Sequence, residues 1–229
     1  MIKKILFTVF FLLLVLIPNE VSAQEEFSGD FYAITDFSSV IEVQKDTTLR
    51  VTETIRVNFP DPRHGIYRVI PVTYSVRGRT LNTRLKVVSI TDSEGASLPY
   101  EKGRRGQSIS LKIGDSDVTL TGLQTYIITY TVDRVIQRYE THDEVYWNIT
   151  GSEWDTDILK ASAIVRSPFG QITRSECFAG SVGTTSRECS AEWSDTESVF
   201  SSKTQLGYGQ DFTVVVALDK NNELIFPGR

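Results

Sequence analysis

Thr48-Leu49-Arg50-Val51-Thr52-Glu53-Thr54-Ile55-Arg56-Val57-Asn58-Phe59 is the stretch that decides the fold class. Leu49, Val51, Ile55, Val57 and Phe59 fall on every second position, and Thr48, Arg50, Thr52, Thr54, Arg56 and Asn58 fill the places between them. A period of two puts the two sets on opposite faces of a half-buried strand, whereas a helix would need apolar residues three and four apart. Lys45-Asp46-Thr47 supplies turn chemistry just upstream, so the strand pairs most simply with residues 38–44.

The same short alternating segments recur outward from this hairpin. Strands are expected over residues 67–76, 85–91, 108–113, 118–120, 124–133, 145–150, 159–166, 192–194 and 212–219. Turn residues separate them: Arg77-Gly78, Ser93-Glu94-Gly95, residues 103–106, Gly114-Asp115 and Thr121-Gly122. Helical periodicity is nearly absent. Nine or more strands joined this way predict an all-β chain, an antiparallel β-sandwich of immunoglobulin-like or jelly-roll-like type.

The N-terminus has a different character. Lys3 and Lys4 precede an apolar run from Ile5 to Ile17, and Val21-Ser22-Ala23 offers small residues for cleavage. That order is the mark of a secretory signal peptide over residues 1–23. The competing reading, an uncleaved anchor helix, needs about 20 apolar residues, and Pro18-Asn19-Glu20 interrupts the run. Residues 24–30 are expected to be a mobile mature N-terminus, 31–219 the exported domain, and 220–229 a C-terminal tail.

The full chain of 229 residues carries 24 Lys and Arg against 29 Asp and Glu, a formal charge of −5. Removing Lys3, Lys4 and Glu20 with the signal segment changes −5 to −6. A mildly acidic domain lacks the concentrated basic face that a nucleic-acid partner requires. In an exported chain the two cysteines, Cys177 and Cys189, are most simply a disulfide. Free thiols or half of a metal site are the alternatives, without a Cys-x-x-Cys or nearby His to support them.

Glu53 is the anomaly of the quoted strand, because it lies on the apolar face. A buried carboxylate needs a partner. Arg68 is the best candidate, since a guanidinium fork can grip a carboxylate with two hydrogen bonds. A structural Glu53–Arg68 ion pair competes with a catalytic carboxylate and with an exposed Glu53 at a bulge or strand end.

A second concentration of chemistry is His142-Asp143-Glu144-Val145-Tyr146-Trp147-Asn148, followed by Gly151, Trp154, Asp155 and Asp157. Oxygen ligands suit a hard divalent cation and Trp faces suit sugar rings. The plainer reading makes this a central strand with acids in its loops, and no Asp-x-Asp-x-Asp-Gly loop is present. Asn148-Ile149-Thr150 matches a glycosylation sequon inside that strand, and residues 102–106 form a basic loop tip read as a solvated turn. No serine-nucleophile elbow, zinc-protease helix, phosphate loop or dinucleotide fingerprint occurs. No cofactor or metal is expected, and the chain reads as a non-enzyme.

Two blocks in order carry a family resemblance: His64-Gly65-Ile66-Tyr67-Arg68-Val69-Ile70-Pro71 with Glu53 upstream, then Glu144-Val145-Tyr146-Trp147-Asn148-Ile149-Thr150-Gly151 with Trp154. Together they resemble the domain-of-unknown-function 2207 family of bacterial membrane proteins, over residues 31–218. The resemblance implies a signal peptide, an extracytoplasmic β-domain, and then membrane helices with a cytoplasmic tail. No apolar run follows residue 219, so the tail is expected to begin a linker to a missing anchor. The leading expectation is an extracytoplasmic interaction or sensing domain for a protein or cell-envelope ligand. A carbohydrate-binding module using Trp147, Trp154, Trp193 and Tyr146 is the alternative; a metal-dependent hydrolase using His64, His142, Asp143 and Asp155 is the third.

Overall fold

A computed structural model describes residues 32–76 and 78–227, with backbone alone for residues 74–76, 79 and 81. The expected signal peptide and the mature N-terminus up to residue 30 lie outside the described residues. Among the described residues there is no helix, and so none long and apolar enough to cross a membrane.

The segment from Leu49 to Phe59 lies inside the largest sheet, flanked on both sides by other strands. Its strand β2 (Leu49–Arg63) pairs antiparallel with β1 (Ala33–Val43) across the Lys45-Asp46-Thr47 turn, with Val43 opposite Leu49 and Val40 opposite Thr52. Thr47 takes φ 69°, and the Asp46 carboxylate accepts from both the backbone N–H and the hydroxyl of Thr48, which lowers its pKa. Outward from this pair the seven-stranded sheet runs β14 (Cys189–Trp193), β15 (Glu197–Ser202), β12 (Ala161–Arg166), β1, β2, β9 (Leu120–Asp133) and β6 (Arg84–Thr91).

Two smaller sheets complete the sandwich. One has the order β10 (Gln137–Arg138), β11 (His142–Asn148), β16 (Gln210–Asp219) and β13 (Ile172–Ser181). The other has β3 (Ile66–Pro71), β8 (Ser108–Ile113) and β7 (Tyr100–Arg105), and a two-stranded ribbon, β4 (Thr73–Val76) with β5 (Arg79–Asn82), stands apart. Leu49, Val51, Ile55 and Val57 of the large sheet share one buried cluster with Leu111 and Ile113 of β8 and with Val145, Val214 and Val216 of the four-stranded sheet. Cys177 of β13 and Cys189 of β14 form a disulfide that ties the four-stranded sheet to the edge of the large one.

Several expectations are corrected. The β1–β12 pair is parallel, which requires a crossover through the intervening strands rather than a hairpin. Thr121-Gly122 is no turn: β9 runs unbroken from Leu120, with Val118 and Thr119 outside it, because Gly122, at φ 69°, sits at a bulge where Pro60, Asp61 and Pro62 leave the ladder between Phe59 and Arg63. Prolines cannot donate to a ladder, and the bulge absorbs them. Residues 67–76 divide into β3 and β4 at Val72, and the basic tip at 102–106 belongs largely to β7. Strands β13 and β15 have no counterpart among the expected segments, and β13 carries Cys177.

Candidate functional site

Alternation along β2 turns Glu53 inward with Leu49, Val51 and Ile55, and alternation along β3 turns Arg68 inward between outward-facing Tyr67 and buried Val69. The two side chains meet between sheets, neither exposing any surface. Arg68 Nε donates to Glu53 Oε2 at 2.8 Å and Nη2 to Oε1 at 2.7 Å. The other three guanidinium N–H groups donate to the Ile149, Thr150 and Val69 carbonyls at 2.8, 2.6 and 2.8 Å. All five donors of the guanidinium are thereby satisfied, the condition under which a buried cation is tolerated.

Further residues close this knot. Tyr130 of β9 donates its hydroxyl to Glu53 Oε1 at 2.7 Å and is itself hydrogen-bonded to Trp147. The guanidinium lies over the rings of Phe37 and Trp154 at 5.2 and 5.9 Å, and Trp154 Nε1 donates to the Thr150 carbonyl at 2.8 Å. Burial lowers the Arg68 pKa, but the Glu53 charge and hydrogen bonds more than offset that and leave it above its ordinary value. Burial, then the Glu53 charge, push the Tyr130 phenol well up.

Gly151 is glycine for two reasons. Its φ is +70°, and a Cβ there would stand 3.0 Å from both Arg68 Nη1 and the Val69 carbonyl oxygen, with Pro71 Cδ at 3.8 Å. Asn148 orients the turn, accepting from the Gly151 N–H at 2.7 Å while its own amide donates to Asp211 at 2.7 Å. That engagement places the sequon asparagine at a strand end with its amide already used. Burial raises the Asp211 pKa, opposed by the Asn148 hydrogen bond.

The same two motif blocks, where they reach the surface, flank a cleft of about 1100 Å³. His64, Gly65 and Tyr67 line it from the first block; Ser152, Glu153 and Asp155 follow directly on the second. Two glycines of its lining pack against each other's backbone: a Cβ on Gly65 would lie 1.9 Å from the Ile113 oxygen, and one on Gly114 would lie 1.9 Å from the His64 oxygen. Tyr67 (60% exposed) and Tyr208 (84% exposed) stand on its rim. Three cations (Arg63, Arg105, Lys112) and four carboxylates (Asp61, Asp115, Glu153, Asp155) line it. Arg105 pairs with Glu153 at 3.2 Å, Arg63 lies over the Tyr32 ring at 4.5 Å, and the Tyr32 hydroxyl bonds to Asp155. Burial, followed by that Asp155 hydrogen bond, raises the Tyr32 pKa.

The expected hydrolase set is not assembled. His64 and Asp155 line the cleft, but His64 Nδ1 is 2.8 Å from the Val118 carbonyl oxygen. His142 and Asp143 lie where β11 begins, at the other end of that strand from Asn148 and Gly151. There His142 stacks on Tyr139 at 4.9 Å and stands 3.5 Å from buried Glu144, which also has Arg174 at 3.7 Å. Among the described residues no three His, Cys, Asp or Glu side chains are grouped to hold a metal. The expected sugar platform is corrected as well: Trp147 (1% exposed) and Trp154 (6%) are core residues, Tyr146 is half-buried, and Trp193 (49%) is exposed on β14 away from both.

Tyr130, Tyr32, Tyr208 and Glu153 escaped the sequence reading, and Arg105 was read only as part of a solvated basic tip. Tyr208 had a legible signal, a ring held between Gly207 and Gly209 in a turn segment. The others acquire meaning through contacts that linear order does not display.

The chain is 27% identical over 164 residues to the uncharacterized protein YciQ of Escherichia coli K12, an alignment covering 67% of this chain and 25% of that protein. It thus spans about a quarter of the length of that relative. Among solved structures, leukotriene A4 hydrolase of Saccharomyces cerevisiae in complex with bestatin matches with a TM-score of 0.50 at 10% identity, over 80% of this chain and 28% of that one. An M1 zinc metallopeptidase from Deinococcus radiodurans gives 0.42 at 9% identity, over 81% and 42%. Identities this low speak of fold alone. Residues 33–218 match the family described as "Predicted membrane protein (DUF2207) N-terminal domain". The chain belongs to the DUF2207 family of predicted membrane proteins, and its β-sandwich is the N-terminal domain of that family.

Proposed function

We propose that this domain is the outward-facing, non-enzymatic recognition head of a membrane protein, and that it binds an envelope or extracellular ligand in the cleft between its two motif blocks. The observation that carries this reading is the division of labour within those blocks. Arg68, Thr150, Gly151 and Trp154 are locked into the buried knot, while their chain neighbours Tyr67, Ser152 and Glu153 line the cleft. A binding surface is best presented by residues whose backbone is held by a packed, hydrogen-bonded support.

Placement outside the cytoplasm is supported by the Cys177–Cys189 disulfide, a bond that persists in oxidising compartments. The polarity of the sandwich agrees. The cleft gathers where β2 and β11 end, whereas residues 223–225 are bound at the opposite end, Ile225 N–H donating to the Lys45 carbonyl at 2.7 Å. A chain continuing from there would leave the cleft facing away from its attachment.

The test combines topology, turnover and binding. Protease added to intact cells should cleave the domain, and purified protein should turn over no peptide, ester or glycoside while retaining an envelope fraction through the cleft. Turnover abolished by Glu153→Gln, or retention unchanged in a Tyr67→Ala/Tyr208→Ala variant, would overturn the reading.

A further inference from the structure

We infer that the cleft takes an uncharged oligosaccharide, an inference that rests on the cleft being the ligand site. Three features of the cleft point to this chemistry. The first is electrostatic. Three cations face four carboxylates, and several are already engaged: Arg105 with Glu153 at 3.2 Å, Asp155 with Tyr32, Arg63 over the Tyr32 ring, and Lys112 with Glu101 outside the cleft at 3.4 Å. The lining therefore offers neither an unopposed cluster of cations to an anion nor an unopposed cluster of carboxylates to a cation, and pairs this exposed hold little energy of their own. A neutral polyol has hydroxyls that accept from the guanidinium and donate to the carboxylate at once, so the pair survives occupancy.

The second feature is aromatic. Tyr67 and Tyr208 both line the cleft and are largely exposed, and Tyr208 is carried on a braced turn: Gln210 N–H donates to the Gly207 carbonyl at 3.1 Å, and Gly207 N–H donates to Gln210 Oε1 at 2.9 Å. Gly209 supplies the φ of 71° that the turn needs. Aromatic side chains with a polar tip suit a partner that is apolar on one face and wet on its edges, which is the character of a sugar ring. The third is size. About 1100 Å³ stands at the upper end of the roughly 300–1,000 Å³ of small-molecule sites, room for a chain of rings rather than for one sugar alone.

Titration calorimetry of the purified protein with cello-oligosaccharides and N-acetylated chito-oligosaccharides of increasing length tests this. Affinity should rise with chain length, change little between low and high salt, and fall about tenfold in Tyr67→Ala and in Tyr208→Ala. Tyr67→Phe should keep most of it, and unchanged melting temperatures should show that the variants fold. If no saccharide binds while a peptide or an anionic polymer binds and depends on the two tyrosines, the saccharide assignment fails and the cleft stands as the ligand site. If none of these ligands binds in a tyrosine-dependent way, both readings fail.

Discussion

Glu53 and Arg68 come from strands of different sheets, and each satisfies the other through two hydrogen bonds, at 2.8 and 2.7 Å, with no side-chain surface left in water. The pair is bound into a larger set, because the same guanidinium also holds the carbonyls of Val69, Ile149 and Thr150. Removing Arg68 therefore strands a carboxylate and three carbonyls together. Arg68→Ala should destabilise the domain by about 3–5 kcal/mol and Glu53→Gln comparably. A denaturation-based double-mutant cycle should give a double variant less costly than the sum. Arg68→Lys should not rescue, since an ammonium has three donors where five are used. Additive losses would show that the two residues do not act as partners.

Much of this pair was legible because Glu53 breaks a period-two pattern and a buried carboxylate demands a cation. The convergence of Thr150 and Trp154 on the guanidinium was not, because it depends on how the turn after β11 folds back over β3, and neither was the Tyr130 hydroxyl on Glu53, which comes from the neighbouring strand β9. The all-β class was readable from alternation; the parallel β1–β12 pairing was not, since pairing partners distant in sequence leave no local trace. Strand β13 was hidden for another reason. Arg174, Ser175, Glu176 and Gly180 dilute its apolar positions, and its inward Cys177 and Ala179 are small.

The Cys177–Cys189 bond joins β13 to β14 across a separation of 12 residues. Closing a loop of that size should stabilise the domain by about 3 kcal/mol through the unfolded chain. Cys177→Ser/Cys189→Ser should lower unfolding free energy by roughly that amount under oxidising conditions. Under dithiothreitol the difference between the variant and the parent should vanish. A difference that persisted after full reduction would place the effect in packing rather than in the crosslink.

Tyr126 is buried opposite Ile55 in the β2–β9 ladder, and its hydroxyl has no hydrogen-bond partner among the described residues. Burial pushes its phenol up to about 12. A proton held more tightly in the folded state gives stability that is fully present below the unfolded pKa of 10.0 and is lost as pH rises through about 12. Tyr126→Phe should keep or slightly raise stability at pH 7, since it removes an unpaired buried hydroxyl. It should also flatten the loss between pH 10 and 12, measured as melting temperature against pH. A Phe variant that lost stability at pH 7 would mean that the hydroxyl has a partner.

Asp143 holds the segment after β16. Its carboxylate, almost wholly buried, accepts from Lys220 Nζ at 2.6 Å and Asn222 Nδ2 at 2.8 Å, with Arg138 at 3.9 Å. Beyond these contacts the segment is fastened by the Glu223 N–H to the Phe169 carbonyl, the Ile225 N–H to the Lys45 carbonyl, and Phe226 beneath the Arg138 guanidinium. Asp143→Ala should release that segment without unfolding the sandwich, because Lys220 is partly exposed and can be solvated once freed. Hydrogen exchange should quicken at the amides of Glu223 and Ile225 while the amides of β16 keep their protection. Equal loss in both places would make Asp143 a determinant of the global fold; no change in either would mean that the backbone bonds hold the segment unaided.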